Sequence, residues 1–410
     1  MTQSPWKDPF QATMTKRKNR HTTKRRRRIL TLLSIGLVGA VLVATLSLVL
    51  LNRTSTYARD AASHEGRIST INELNRIAVV GSTAFIVDEH GSTLAVDSNP
   101  YGVALAPAAS TTGAHGSLRG GDIVVTNIGA DDGGTTLVRF PNKMGPGRLF
   151  NATPNAGTKG PADQAFNTLS GTDWVANVGT NDIQIFKSDG TVLTTVKSPL
   201  FNKPWGQAFN GGLHNKQDGS ISSFFTSNVA DATIDRIDII PGQNKTTTLR
   251  VVQIGQLSSA GKETKIGMVW VPSLQVNGKH FSDVLLALDP AKNRIAAFPN
   301  STTLNTTNTR STNAGITAFQ GKPLNMPGGL SINPLNGDVL VVNLSDNNLV
   351  EINLAHARTV GIRQIDNVPV DLQSGNGSAL FGVVATTDQR GNLVVYFTDD
   401  NTNTLDVLSS

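Results

Sequence analysis

The sequence predicts an all-β fold, a six-bladed β-propeller with four antiparallel strands per blade, preceded by one N-terminal transmembrane helix. Three observations predict it. Six apolar strands each end in Asn or Asp, at Asn127, Asn177, Asn228, Asp289, Asn343 and Asp399. Those positions lie 50, 51, 61, 54 and 56 residues apart, a period that belongs to repeat architectures built from several short strands per unit. Residues 29–51 form a 23-residue run without a charge, long enough as a helix to cross a bilayer.

From the N-terminus, residues 1–28 are a basic tail, and the charge is concentrated there. Residues 1–53 hold eleven Lys and Arg against Asp8 alone, so of the chain's 36 basic and 30 acidic residues the remainder keeps 25 and 29. The bulk of the chain is mildly acidic and carries no nucleic-acid footprint. A basic run directly before an apolar span is a topology signal, which puts the N-terminus in the cytoplasm and the rest outside the cell membrane. The alternative is a signal peptide cleaved after Ala58, which would release a secreted protein. Residues 52–76 read as a polar tether.

The propeller is expected over residues 77–410, with blades starting near 99, 161, 203, 266, 326 and 378. Each blade opens on a related stretch: "NPYGVALAP" at Asn99, "KPWGQAF" at Lys203 and "MPGGLSINP" at Met326 share Pro-x-Gly before alternating apolar residues. "IGMVWVP" at Ile266 and "LFGVVAT" at Leu380 keep the glycine and lose the proline, and "PADQAFNTL" at Pro161 departs furthest. Glycine permits the close backbone approach that six converging inner strands require. The last unit supplies only three strands before Ser410, so a strand from residues 82–97 is expected to complete it and remove an open sheet edge.

The six Asn and Asp side chains are expected to close turns by accepting backbone N–H bonds about two residues on. The functional alternative is a ring of amides and carboxylates at one rim. Five of the six are followed six positions later by the next apolar strand residue (Ile183, Ile234, Ile295, Leu349 and Leu405), which fits a short fixed turn.

"NPYGVALAP…GDIVVTN", "LALDPAKNRIAAF" and "MPGGLSINPLNGDVLVVNLSDNNLVEI" together resemble the NHL-repeat-like six-bladed propellers of extracytoplasmic, bacterial type. The resemblance implies a scaffold. Its members include protein-binding, RNA-binding and enzymatic propellers, so function rests on the site.

Catalytic motifs are absent. There is no cysteine, no G-x-S-x-G, no H-E-x-x-H and no phosphate loop, and the seven histidines are scattered singly. The enzymatic alternative that the resemblance brings is a calcium-dependent lactonase-like hydrolase, whose cation needs several oxygen ligands. Among the inner-strand stretches only Asp163 offers a carboxylate, so no cofactor and no metal are assigned. The favoured function is a non-catalytic, monomeric binding scaffold for a protein or cell-envelope ligand. Its candidate ligand-binding residues are Tyr101, Trp205 and, further along, Trp270, with axial packing as the competing role for these aromatics.

Overall fold

The computed structural model describes residues 67–410, apart from short stretches at 111–116, 142–144, 152–156, 212–221, 242–246, 259–264, 307–309 and 372–373. The expected membrane span at 29–51, with the basic tail and most of the tether, lies outside the described residues. Among those described, no helix is long and apolar enough to cross a membrane.

Six four-stranded antiparallel sheets follow one another along the chain. Their inner strands are Pro100–Leu105, Pro161–Phe166, Pro204–Phe209, Met268–Val276, Pro327–Ile332 and Leu380–Thr387, and each touches the next, the last returning to the first. The second strands end at the six Asn and Asp positions read from the sequence. Over their last five residues they are buried on both faces, which explains runs such as Val339–Asn343 with no polar residue before the terminal amide. Alternate side chains enter opposite layers. In blade one, Ile123 and Val125 pack towards blade six while Val124 packs towards blade two. The core is thus six apolar layers between neighbouring blades and one further cluster on the axis.

An N-terminal strand closes the ring, but not the one expected. Arg76–Ser82 pairs with Thr404–Ser409, from Arg76 opposite Ser409 to Ser82 opposite Thr404. Residues 82–97 instead form a separate hairpin of Phe85–Val87 and Thr93–Ala95. The cause is local: Asp88 Oδ1 accepts from the backbone N–H of His90 at 2.9 Å and of Ser92 at 2.7 Å, turning the chain inside the expected strand. The tether is also shorter than the sequence suggested. Ile71 and Leu74 are wholly buried in the layer between blades five and six, and the Ile71 N–H donates to the Glu351 carboxylate at 2.8 Å.

The Asn and Asp residues that end the second strands are buried clamps more than turn fasteners. Asp399 accepts from a backbone N–H of its own turn, that of Thr402 at 3.1 Å. Asn343 accepts from the Asn325 N–H and donates to the Pro323 carbonyl, holding the chain as it enters blade five. Asn228 accepts from the Asn202 N–H, and Asn127 donates to the Thr83 carbonyl. Asn177 bonds Asp182, and Asp289 pairs with Arg294 at 2.9 Å, each tying its strand to the next. Burial leaves none of them at a rim.

A second ring, four residues further on, does what a tight turn needs. Asn181, Ala232, Asn293, Asn347 and Asn403 all have positive φ, between 46° and 57°. Asparagine tolerates this region better than most residues. The four asparagines also accept from the backbone N–H at the following blade entry, of Lys203, Met326, Ala379 and Asn99 respectively. One side-chain type therefore satisfies both the turn and the junction between blades.

Candidate functional site

The Pro-x-Gly stretches build the axis. A Cβ on Gly206 would lie 2.1 Å from the Ile266 carbonyl oxygen, on Gly329 2.1 Å from that of Phe381, and on Gly382 2.2 Å from that of Tyr101. Only glycine lets neighbouring inner strands come this close. A hydroxyl then bridges the gap: Ser227 accepts from the Gly206 N–H and donates to the Ile266 carbonyl, at 2.9 and 2.8 Å. Thr126 and Thr398 relay in the same way from Gly102 to Ala162 and from Gly382 to Tyr101.

This convergence gathers the residues preceding the glycines at one mouth of the channel. Tyr101 and Phe381 stack at 4.0 Å between ring centroids with 15° between planes, and Trp205 meets Tyr101 edge-on at 5.1 Å. Ile128, Val178, Val229 and Leu344, each following an Asn of the second strands, complete the cluster. Tyr101 and Trp205 are thus brought together as expected and are both buried.

Lys265 enters this mouth from the connection into blade four. Its Nζ donates to the Tyr101 hydroxyl at 2.6 Å and lies 4.1, 4.6 and 5.8 Å from the ring centroids of Phe381, Tyr101 and Trp205. Asp400 is close enough to feel the charge. Burial pushes its carboxyl up to about 6, while Lys265 pulls the other way. With the Asn99 amide turned to donate, its nitrogen lies 2.7 and 3.0 Å from the two Asp400 carboxylate oxygens. The Tyr101 phenol is pushed up, first by burial and then by Asp400 and Asp132.

Trp270 belongs elsewhere. It lies four residues beyond Ile266 on its strand, level with Leu105, Phe166 and Phe209, roughly 13 Å along at strand rise. Its indole N–H donates to Asp283 at 2.8 Å, and it is half-buried. Between the two levels runs a cavity of about 340 Å³, lined by all six inner strands. Asp163 stands in its wall, enclosed by protein yet facing the channel. Its carboxylate accepts from the Gln207 N–H of the next blade at 3.0 Å, taking up the junction where the other blades have glycine. Burial raises it to about 6, against the opposing pull of that hydrogen bond.

The donor set does not suit calcium, which takes 6–8 oxygen ligands. Among the described residues no three His, Asp or Glu side chains come together in a way that could hold a metal ion. Asp163 is a lone carboxyl on a largely apolar wall, and no chemical step is derived through a cation here.

Sequence reasoning missed Lys265, Phe381 and Asp400. Two of them carry a signal in the repeat. Lys265 stands at the position held by Pro100, Pro161, Pro204 and Pro327 in four other blades, and Phe381 occupies the middle place of the same triplet as Tyr101 and Trp205.

No family model matches the chain, and no curated protein matches it either. Among solved structures, a virginiamycin B lyase from Staphylococcus aureus is similar at 12% identity with a TM-score of 0.47, over 82% of this chain and 99% of that one. A streptogramin B lyase follows at 14% identity and 0.47, over 81% and 97%. A chain of a nidogen–laminin complex matches at 12% and 0.45, over 71% and 88%. At such identity and superposition the likeness says nothing of the axial channel.

Proposed function

We propose that this chain is a membrane-tethered, extracytoplasmic propeller of NHL-like type that binds without catalysis. It acts as a monomer, and it admits a protruding group of a protein or cell-envelope ligand to the axial channel from the Trp270 end. The observation that carries this reading is the cavity itself. At about 340 Å³, with mainly apolar walls, an indole at one end and a single carboxyl, it has the size and chemistry of a ligand pocket. The opposite mouth is filled by Lys265 and its three rings, which leaves the Trp270 end as the way in.

The test uses the purified full chain, screened by thermal shift against cell-envelope glycans and peptides. A ligand that raises the melting temperature of the wild type should lose its effect in Trp270→Ala. Binding unchanged in that variant would refute the entry route. Calcium-dependent lactone hydrolysis abolished by Asp163→Asn would replace the binding reading with the enzymatic one. For the tether, protease added to intact cells should cut beyond residue 51 and spare the basic tail. A mature N-terminus near Ala58 would mean secretion.

A further inference from the structure

The Lys265 mouth closes the axial cavity at the opposite end of the inner strands from Trp270. One nitrogen lies 4.1 and 5.8 Å from the ring centroids of Phe381 and Trp205, of blades six and three, while Tyr101 of blade one turns its hydroxyl edge to it. Ring faces attract cations through their quadrupoles, most strongly where water is excluded. Tyr101, Trp205 and Phe381 are all buried, and Lys265 is half-buried. The Tyr101 hydroxyl adds a hydrogen-bond acceptor at 2.6 Å, and the Asp400 carboxyl adds negative charge at the same mouth.

The group that brings the cation is not part of the sheet. The inner strand of blade four begins at Met268, and Lys265 precedes it in the connecting chain. Four other blades place a proline here, a residue with fixed φ and no long side chain. Blade four replaces that rigid fitting with a flexible four-carbon stem carrying a charge.

We propose that this mouth is an ammonium cage that takes a primary alkylammonium head, with Lys265 as its tethered occupant, displaceable by the same group on a ligand. The phenolic oxygen selects the primary form. It requires an N–H donor at hydrogen-bond distance, and the methyl groups of a quaternary head would hold the nitrogen away from it. A lysine side chain of a peptide, or an amine-bearing envelope group, has the chemistry to compete. The cage shares the axial cavity with the Trp270 entry route, but its test reads the amine against the alcohol, so a failure of that difference sinks the cage and leaves the Trp270 route standing.

The experiment compares full-length wild type, Lys265→Gly and Lys265→Met. Each is titrated with n-butylammonium chloride, with n-butanol as the uncharged isostere and sodium chloride as the ionic-strength control. Tryptophan emission and melting temperature are read throughout. In Lys265→Gly, butylammonium should bind saturably, at least ~10-fold more tightly than butanol, and should restore part of the lost melting temperature. Wild type, with its own lysine in place, should bind the same cation at least ~10-fold more weakly than Lys265→Gly. Equal binding of amine and alcohol, no binding, or equal binding by wild type and variant would each overturn the cage. Should Lys265→Gly not fold, Lys265→Met decides. It keeps the bulk and removes the charge, so it should melt several degrees below wild type, and a melting temperature equal to or above wild type overturns the proposal.

Discussion

Replacing Gly206 by alanine tests the packing principle on which the whole axis rests. The added Cβ would lie 2.1 Å from the Ile266 carbonyl oxygen and 3.0 Å from Ser227 Oγ. An ordinary non-bonded contact is roughly 3.5 Å, so blades three and four must separate by about 1 Å or more at that point. Separation breaks the relay in which Ser227 accepts from the Gly206 N–H at 2.9 Å and donates to the Ile266 carbonyl at 2.8 Å. Two net hydrogen bonds contribute about 1–3 kcal/mol together, and forcing an extra methyl into a packed interior costs about 1–3 kcal/mol. Gly206 is not at positive φ, so no backbone strain enters. The expected loss is about 2–6 kcal/mol, read from urea denaturation followed by tryptophan fluorescence. Ser227→Ala is the control, because it removes the relay without the intrusion and should cost less. A Gly206→Ala variant within about 1 kcal/mol of wild type would refute the claim that glycine is required by inter-blade approach.

Three further outcomes are expected. Ile71→Ala should destabilise by about 2–4 kcal/mol in the same assay, because its side chain is wholly buried between blades five and six. Asn347→Gly keeps the positive φ of 51° but loses the bonds to the Ala379 N–H and the Gly377 carbonyl, and should cost about 2–4 kcal/mol. Stability should fall as pH rises from 5 to 7.5. Burial raises Asp163 and Asp400 to about 6 and Asp235 to about 7, so each binds its proton more tightly folded than unfolded. That contribution is complete below the unfolded carboxylate range near pH 4, and it is lost as pH passes through these values. Asp235→Asn keeps an acceptor for the Asn228 amide and should flatten the profile by on the order of 1–3 kcal/mol, measured as denaturation midpoints at the two pH values.

The fold was legible because two signals coincide in five of the six units, blade two having Asp163 where the others have glycine. An apolar strand buried on both faces must end where a polar side chain can take over its backbone partners, so Asn343 and its counterparts mark one end of each blade. Gly206 and Gly382 mark the same end on the inner strand. The partners of those amides were not legible, because they lie on the chain entering a blade about twenty or more residues away: Asn325 for Asn343, Asn202 for Asn228. The closing strand was misplaced because Arg76–Ser82 and Phe85–Val87 have similar β-forming composition, and only the Asp88 turn separates their roles. Tyr101 and Trp205 shared a repeat position and could be paired from sequence. Lys265 could not, since a lone lysine at a loop end ordinarily reads as solvated. What brings it inward is the convergence of three rings that are 104 and 176 positions from one another along the chain, at Tyr101, Trp205 and Phe381.

The pairing of Arg76–Ser82 with Thr404–Ser409 has a kinetic meaning. The first strand of the propeller to be synthesised binds the last, so Arg76–Ser82 waits for its partner through the making of more than three hundred residues. Closing so long a loop carries an entropic cost that grows only logarithmically with length, which makes the event slow without making its product weak. Until it happens, Thr404–Ser409 presents an unpaired strand edge of the kind that captures other chains. The chain that joins the waiting strand to its partner raises its effective concentration over that of any neighbouring molecule, so closure within one chain outruns capture of another.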